Sequence, residues 1–485
     1  MKEPLTKLKW SKYLFIAVAG FLIPLIVVST SSAQEVLANS VDKACSKEVL
    51  ENTITSPEHL INNLWVLIAG ILVFAMQLGF AMLEAGFSPA KNTVNVLFKN
   101  VADVCLGIVV FFIFGYALMY HPETCATSPE SNEIGIPGVL EVSISYLALN
   151  QWNWGSEAEQ LPRAGAEHLS VYIDFFFQAA FAATSATICS GAVAGRIKPL
   201  AYLLLTVIIT GLVYPISGSW VWGGGWLDKF GFHDFAGSLV VHSVGGAAAL
   251  ACVIILGPRK GRFDDQGQLS PREQSELKPH SLPLAAMGTF ILWLGWYGFN
   301  AGSTFDFSPD SVGKIVLNTT LAGCASAWAV IVWRWRNNAG RVDLSTILNG
   351  ILGGLVGITA SSDVVEPFQS LFIGIVSGVI VILGVDLLSN IKIDDAVGAI
   401  PVHCFCGIWG GLATGVFAQG IDSIRFVTQL LGSFLIPLWS FGVVIVVLTI
   451  LNKIFKIRVS PEKENYGLDW QEHGEIAYLS LEKNE

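Results

Sequence analysis

Residues 233–246 read HDFAGSLVVHSVGG, and residues 394–407 read DDAVGAIPVHCFCG. Asp, Gly, Val, His and Gly fall at matching offsets, as Asp234, Gly237, Val241, His242 and Gly246 in the first copy and Asp395, Gly398, Val402, His403 and Gly407 in the second. Both copies sit among long apolar runs. Whatever organises those runs has to explain why one polar pattern is written twice.

The 485 residues are 53% hydrophobic and 14% charged, against roughly 25% charged in soluble domains. Past residue 58, eleven apolar runs centre near Ala75, Val109, Ala183, Ile208, Gly245, Leu292, Ser326, Leu355, Val379, Ile408 and Val444. A helix needs about 20 residues to cross a hydrocarbon core of about 30 Å. Open sheet edges are not tolerated in lipid, and a barrel would show short alternating strands instead. The sequence therefore predicts an all-α polytopic membrane protein with eleven mature transmembrane helices, embedded in a lipid bilayer. The formal charge of -10 comes mostly from acids outside the spans and does not point to nucleic acid.

The chain begins with Lys2, Lys7, Lys9 and Lys12, the apolar run YLFIAVAGFLIPLIVV and then STSSAQ. This is the pattern of a secretory signal peptide, cleaved after Ala33. Left uncleaved it would be one more span, and residue 34 onward emerges on the outer side either way. Segments 1–33 (signal), 34–58 (extracytoplasmic), 59–455 (transmembrane) and 456–485 (tail) follow. Lys and Arg set the orientation. Lys91, Lys99, Arg196, Lys198, the basic cluster from Arg259 to Lys278, Arg334, Arg336, Arg341, Lys392 and the tail are placed inside; the outer connections between runs hold only Arg163, Lys229, Lys314 and Arg425. The mature N-terminus is then extracytoplasmic and the C-terminus cytoplasmic, as in a plasma or inner membrane protein.

The Asp234 copy belongs to the fifth run and the Asp395 copy to the tenth, an odd separation, so the copies cross in opposite directions. That is the mark of an inverted five-plus-five repeat around a central pore, with repeat 1 over about 59–257, repeat 2 over about 281–422 and an extra eleventh helix over about 427–455. Each Asp precedes its run, where its carboxylate can cap a helix N-terminus. Eight residues on, at 1.5 Å per residue, a His lies about 12 Å deeper. Entering from opposite faces, His242 and His403 meet near the midplane, where ionisable side chains line pathways or relays. Asp234 and Asp395 have a structural role at the helix starts. His233 and His280 fall near span ends and read as interfacial.

The eight cysteines form no CxxC pair and no zinc spacing, so neither a metal nor a cofactor is expected. Cys45 and Cys125 share the outer side, where a disulfide is allowed; two free thiols are the equal alternative. No GxxxxGK[ST] phosphate loop and no enzyme-like ligand cluster is present, which argues against catalysis.

These segments resemble the ammonium transporter, methylammonium permease and Rhesus superfamily. The resemblance rests on DFAGSLVVHSVGGAAALACVIILGPR, FQAAFAATSATICSGAVAGR, VWGGG, GWYGFNAGS and the second His segment, and LEAGFSPAKNTVNVLFKN resembles its cyanobacterial and plant-like branch. It implies ammonium or ammonia as cargo, with methylammonium as an analogue, and nitrogen uptake as the role. It implies an outer recognition site of Phe177, Trp222 and Ser303, a hydrophobic gate of Phe181 and Phe299, pore histidines His242 and His403, and Trp296 lining the pore. It also implies a homotrimer with one pore per subunit. The tail RVSPEKENYGLDWQEHGEIAY is similar to the family's regulatory segment, with Gly467, Asp469, His473 and Gly474 in pattern, and a PII-type regulatory protein is the implied partner on the cytoplasmic face. Two rival readings are a Rhesus-type electroneutral channel for NH3 or CO2, and an ammonium sensor signalling through its tail.

Overall fold

The computed structural model describes residues 56–120, 166, 169–264, 268–269, 275–418, 421 and 424–478. The signal peptide, the segment to residue 55, Cys45 and Cys125 lie outside the described residues. The described chain is helical, with isolated bridges in place of strands. In order, the apolar helices are α1 (Pro57–Phe87), α2 (Ala90–Met119), α3 (Val171–Ala192), α4 (Pro199–Lys229), α5 (Ser238–Leu256), α6 (Leu282–Gly302), α7 (Pro309–Asn337), α8 (Leu344–Ile358), α9 (Pro367–Asn390), α10 (Ile400–Phe417) and α11 (Phe426–Ile454). A short α12 (Pro461–Tyr466) follows in the tail.

Ten of these helices are long and apolar enough to cross a membrane. The remaining one of the eleven expected runs, near Leu355, forms α8, whose helix is only 15 residues long. At 1.5 Å per residue that helix falls short of the hydrocarbon thickness. It ends in turns at 359–364 that pack inside the bundle.

Local signals set the helix ends. Ser56 accepts from the His59 amide ahead of Pro57 at the first turn of α1. Asp343 accepts from the Thr346 amide to start α8. Glu366 and Gln369 form a reciprocal capping box, with Pro367 at the first position of α9. Such caps satisfy amides that have no partner within the helix.

α1 packs along α6, α3 along α1 and α2, α7 against α8 and α9, and α11 against α5 and α10. The α1–α6 contact depends on absent side chains: a Cβ at Gly86 would sit 2.5 Å from the Ala285 amide nitrogen, and one at Gly288 2.6 Å from the Gly79 carbonyl oxygen. Backbones that approach so closely gain dispersion and packing where lipid offers no hydrophobic drive between helices. Apolar side chains such as Leu64, Ile71, Phe290 and Phe368 stand on the outer surface of the bundle, as a hydrocarbon solvent requires.

Candidate pore site

The site is built where α5 and α10 cross. Ahead of α5, Gly237 takes φ +103°, and the Asp234 carboxylate accepts from the amides of Gly237 (3.2 Å), Leu239 (2.9 Å) and Val240 (2.9 Å). Ahead of α10, Gly398 takes φ +82°, and Asp395 accepts from Val397 (3.3 Å), Gly398 (3.0 Å) and Ile400 (2.7 Å). Glycine alone adopts this left-handed backbone at no steric cost. Burial raises the Asp234 carboxyl to about 6 despite the Val240 and Leu239 amides, and burial raises Asp395 too.

Both helices open in a π-turn, Ser238–Ser243 and Ile400–Phe405, a local widening often found at functional sites. Each π-turn carries its histidine. His242 Nδ1 and His403 Nδ1 are 3.2 Å apart. The closeness is enforced by Gly246, where a Cβ would collide with the Cys404 backbone. A contact between two ring nitrogens holds one proton, so one imidazole donates through Nδ1 and the other accepts there. His242 Nε2 is buried with no partner among the described residues.

A continuous file of rings leads to this pair. Phe177 and Phe181 have centroids 4.6 Å apart. Phe181 lies flat on Phe299 at 3.9 Å and 17°. Phe299 is 5.2 Å from His242, and His242 is 5.2 Å from His403. Trp296 stacks on His242 at 5.0 Å, held by a bond from its Nε1 to Thr359 Oγ1. Trp222 stands edge-on to Phe181 at 6.2 Å, and its Nε1 donates to the Asp234 carbonyl at 2.8 Å. Its ring is therefore oriented by a bond that leaves the π face available. Ser303 ends α6, and its hydroxyl donates to the Phe299 carbonyl at 2.8 Å, which keeps the oxygen lone pairs for another partner.

Beyond the pair, His403 opens onto a second cavity with Phe80, Leu83, Glu84, Ile188, Gly191, Asn349, Leu352 and Val402 in its lining. Sequence reasoning passed over Glu84. It counted Lys99 among the inner connections, yet Lys99 is fully buried within α2, where its ammonium donates to the Ser190 carbonyl at 2.6 Å. It also passed over Asp394, one residue before the matched Asp. Arg259 grips Asp394 with Nε on Oδ2 and an Nη on Oδ1, each at 2.8 Å. Burial by itself would raise Asp394, but the Arg259 guanidinium holds it well below the usual carboxylate range. The buried Arg196 donates to the carbonyls of Gly257 (2.9 Å) and Asp394 (2.5 Å).

The tail lies on the same face. Gly467, at φ +99°, passes close to Lys91. Leu468 N donates to Asn92 Oδ1 at 2.9 Å, and Asp469 Oδ1 accepts from Asn95 N at 2.9 Å. His473 Nε2 lies 2.9 Å from Asn95 Nδ2, and Gly474 is left-handed at φ +68°. His280, just ahead of α6, ties Ser88 to the tail residue Tyr478. His233 pairs with Asp363 at 3.1 Å. Among the described residues no cluster of three or more His, Cys, Asp or Glu is placed to hold a metal.

Comparison with known proteins returns one consistent answer. The profile of the Ammonium Transporter Family matches residues 64–478. A relative from Synechocystis sp. is 46% identical over 428 residues, covering 87% of this chain and 90% of its own. The ammonium transporter Amt2 of Archaeoglobus fulgidus is 39% identical over 484 residues and is covered to 94%, as is this chain. A solved structure named Sensor Amt Protein superposes with a TM-score of 0.75 at 34% identity, over 86% of this chain and 99% of that one.

Proposed function

The chain belongs to the ammonium transporter family and crosses the membrane several times, and from that premise we propose that it recruits NH4+ at an outer aromatic site, strips its proton and conducts NH3 past a twin-histidine pair. The observation that carries this reading is the unbroken file from Phe177 through Phe181, Phe299 and His242 to His403.

The physics runs along that file. Dehydrating a small cation is costly, so the entrance must compensate. The ring faces of Trp222 and Phe177 attract a cation through their π charge, and Ser303 offers an acceptor oxygen. Phe181 and Phe299, in contact, block a hydrated ion. Below them a neutral imidazole accepts or donates a hydrogen bond to ammonia and can take up its proton. The shared Nδ1 proton lets one ring pass charge to the other. Potassium has the charge but no proton to give, so an apolar channel lined by histidine rejects it. The Asp234 and Asp395 caps fix the two histidine-bearing turns.

In this reading the protein works as a homotrimer with one pore per subunit, in a plasma or inner membrane. The tail, docked on the start of α2, couples pore to cytoplasm, and a PII-type protein is its partner. The deciding experiment is flux in proteoliposomes with current recorded, on the unaltered protein and on His242→Ala. Ammonium-driven current that falls at least about tenfold in the variant supports the reading. Unaltered current overturns the role of the pair, and a neutral flux without current favours an electroneutral channel. The docked tail also favours a sensing role as a second reading; failure to restore ammonium uptake in a transporter-deficient cell would support it.

A further inference from the structure

We propose that Glu84 is the proton-accepting group of the cavity beyond His403, so that the proton leaves the histidine pair through a carboxylate that no part of the resemblance assigns. The proposal rests on the transport reading above.

The cavity beneath His403 is walled mainly by Phe80, Leu83, Ile188 and Leu352, and the polar side chains among the residues lining it are His403, Glu84 and Asn349. A carboxylate facing an apolar cavity inside a membrane protein is costly, and such groups are kept for pathways and relays. Asn100 Nδ2 (3.0 Å) and Ser190 Oγ (2.7 Å) both donate to the same oxygen, Oε2. Oε1 receives no donor among the described residues. Gly191 keeps the carboxyl uncovered, since a Cβ there would stand 3.3 Å from Glu84 Cδ.

The neighbouring acid shows what a purely structural carboxylate looks like here. Asp103 is equally buried, but Thr206 donates to Oδ1 at 2.5 Å and Thr187 to Oδ2 at 2.7 Å, and it is not among the residues lining the cavity. Lys99 does not neutralise Glu84 by contact either. Its ammonium bonds the Ser190 carbonyl and lies 5.3 Å over the Tyr202 ring, and no Lys or Arg pairs with Glu84 among the described residues. Among these residues no cation therefore occupies Oε1.

The step is balanced. The His403 imidazolium loses its ring N–H proton through water in the cavity, an O–H bond forms on Glu84 Oε1, and imidazolium plus carboxylate become imidazole plus carboxylic acid. The proton then passes from Glu84 to bulk water on the tail side, and the carboxylate is restored. Polar groups among the residues lining one cavity are what a bridging water needs.

The test is ammonium-jump current on proteoliposomes bearing the full chain, its Glu84→Gln variant and its Glu84→Asp variant. We expect Gln to lower the maximal current about tenfold or more, as for loss of a proton acceptor. The half-saturating ammonium concentration should stay within about twofold, because the outer site is untouched. Asp should restore part of the current. Full current in Gln overturns the proposal. So does a loss that Asp does not relieve while both variants lose thermal stability alike, the behaviour of a packing residue. If Gln fails to assemble, infrared difference spectra of the chain carrying Asp103→Asn decide. A carboxylic-acid carbonyl band on ammonium addition that shifts in frequency when Glu84→Asp is added supports Glu84, and no band, or one unmoved by that change, overturns it. A wild-type protein without current sinks the transport reading first, which separates the two failures.

Discussion

The two Asp-to-His segments share one backbone device and live in different surroundings. In each, an Asp gathers three amides, a left-handed glycine turns the chain, and a π-turn presents a histidine. The first histidine packs against Trp296 and Phe299, with Nε2 buried and without a partner among the described residues. The second faces Phe80 and a cavity that holds a carboxylate. The first copy is anchored outside its helix by His233 and Asp363, about a quarter exposed, the second by Arg259 on a fully buried Asp394. An internal repeat thus supplies position, and the residues around it supply the difference: one imidazole meets the stacked Phe299 ring and the other meets the Glu84 cavity.

The largest expected effect tests whether the two histidines are equivalent. Placing a fixed anion at the midplane with His242→Asp should admit potassium, read as a potassium current at least about tenfold above that of the unaltered protein. His403→Asp, beside the cavity, should do so less. Equal potassium currents would erase the functional asymmetry, and continued rejection by both would defeat the proton-based account of selectivity.

Next come the anchors. Arg259→Ala leaves buried Asp394 with only the longer contact to Arg262, 3.5 Å away, and should cost up to about 3–5 kcal/mol. Asp363→Ala on the first copy removes a partly exposed pair and should cost about 0–1 kcal/mol. Denaturant or thermal unfolding in detergent compares them, and similar losses would show that burial does not distinguish the copies.

The caps should differ less. Asp234→Ala and Asp395→Ala each remove a helix-start acceptor and should cost about 0.5–2 kcal/mol. The buried Asp234 should stand at the upper end, since its three amides have less access to water. A larger loss at Asp395 would reverse that order.

The smallest effect is with pH. Because Asp394 is held below its ordinary value, its stabilisation is full above about 3.9 and drains only as pH falls from there through the lowered value. Hydrogen exchange at 257–262 should therefore be unchanged by this group between pH 7 and about 4.5. Deprotection inside that window would mean that the Arg259 pair does not govern the second copy.

Much of this was legible in the sequence because lipid constrains it so tightly. Long apolar runs must be helices, a pattern repeated across an odd number of spans must be antiparallel, and a His eight residues past an Asp must lie deep. Other features were hidden for physical reasons. Glu84, Lys99 and Asp103 are charged residues in apolar runs whose burial depends on which face of α1 and α2 meets α3, and no one-dimensional pattern sets that. Lys99 reads as an inner-loop cation until its helix is placed. Asp394 is invisible beside Asp395, because adjacent residues point in different directions. The shortness of the α8 helix depends on where the turns at 359–364 can be buried.

Arg196 carries a mechanical consequence. Its guanidinium grasps the carbonyls at the end of α5 and just ahead of α10. Its own carbonyl accepts from Val459, while Lys198 donates to Ile457 at 2.9 Å. One side chain and its flanking backbone thus rivet both halves and the tail together on a single face. Inverted repeats commonly work by rocking one half against the other, but a joint riveted at one end cannot swing there. Under the proposed function, that leaves the stacked Phe181 and Phe299 rings as the parts free to move, on the timescale of side-chain rotation rather than of a carrier cycle.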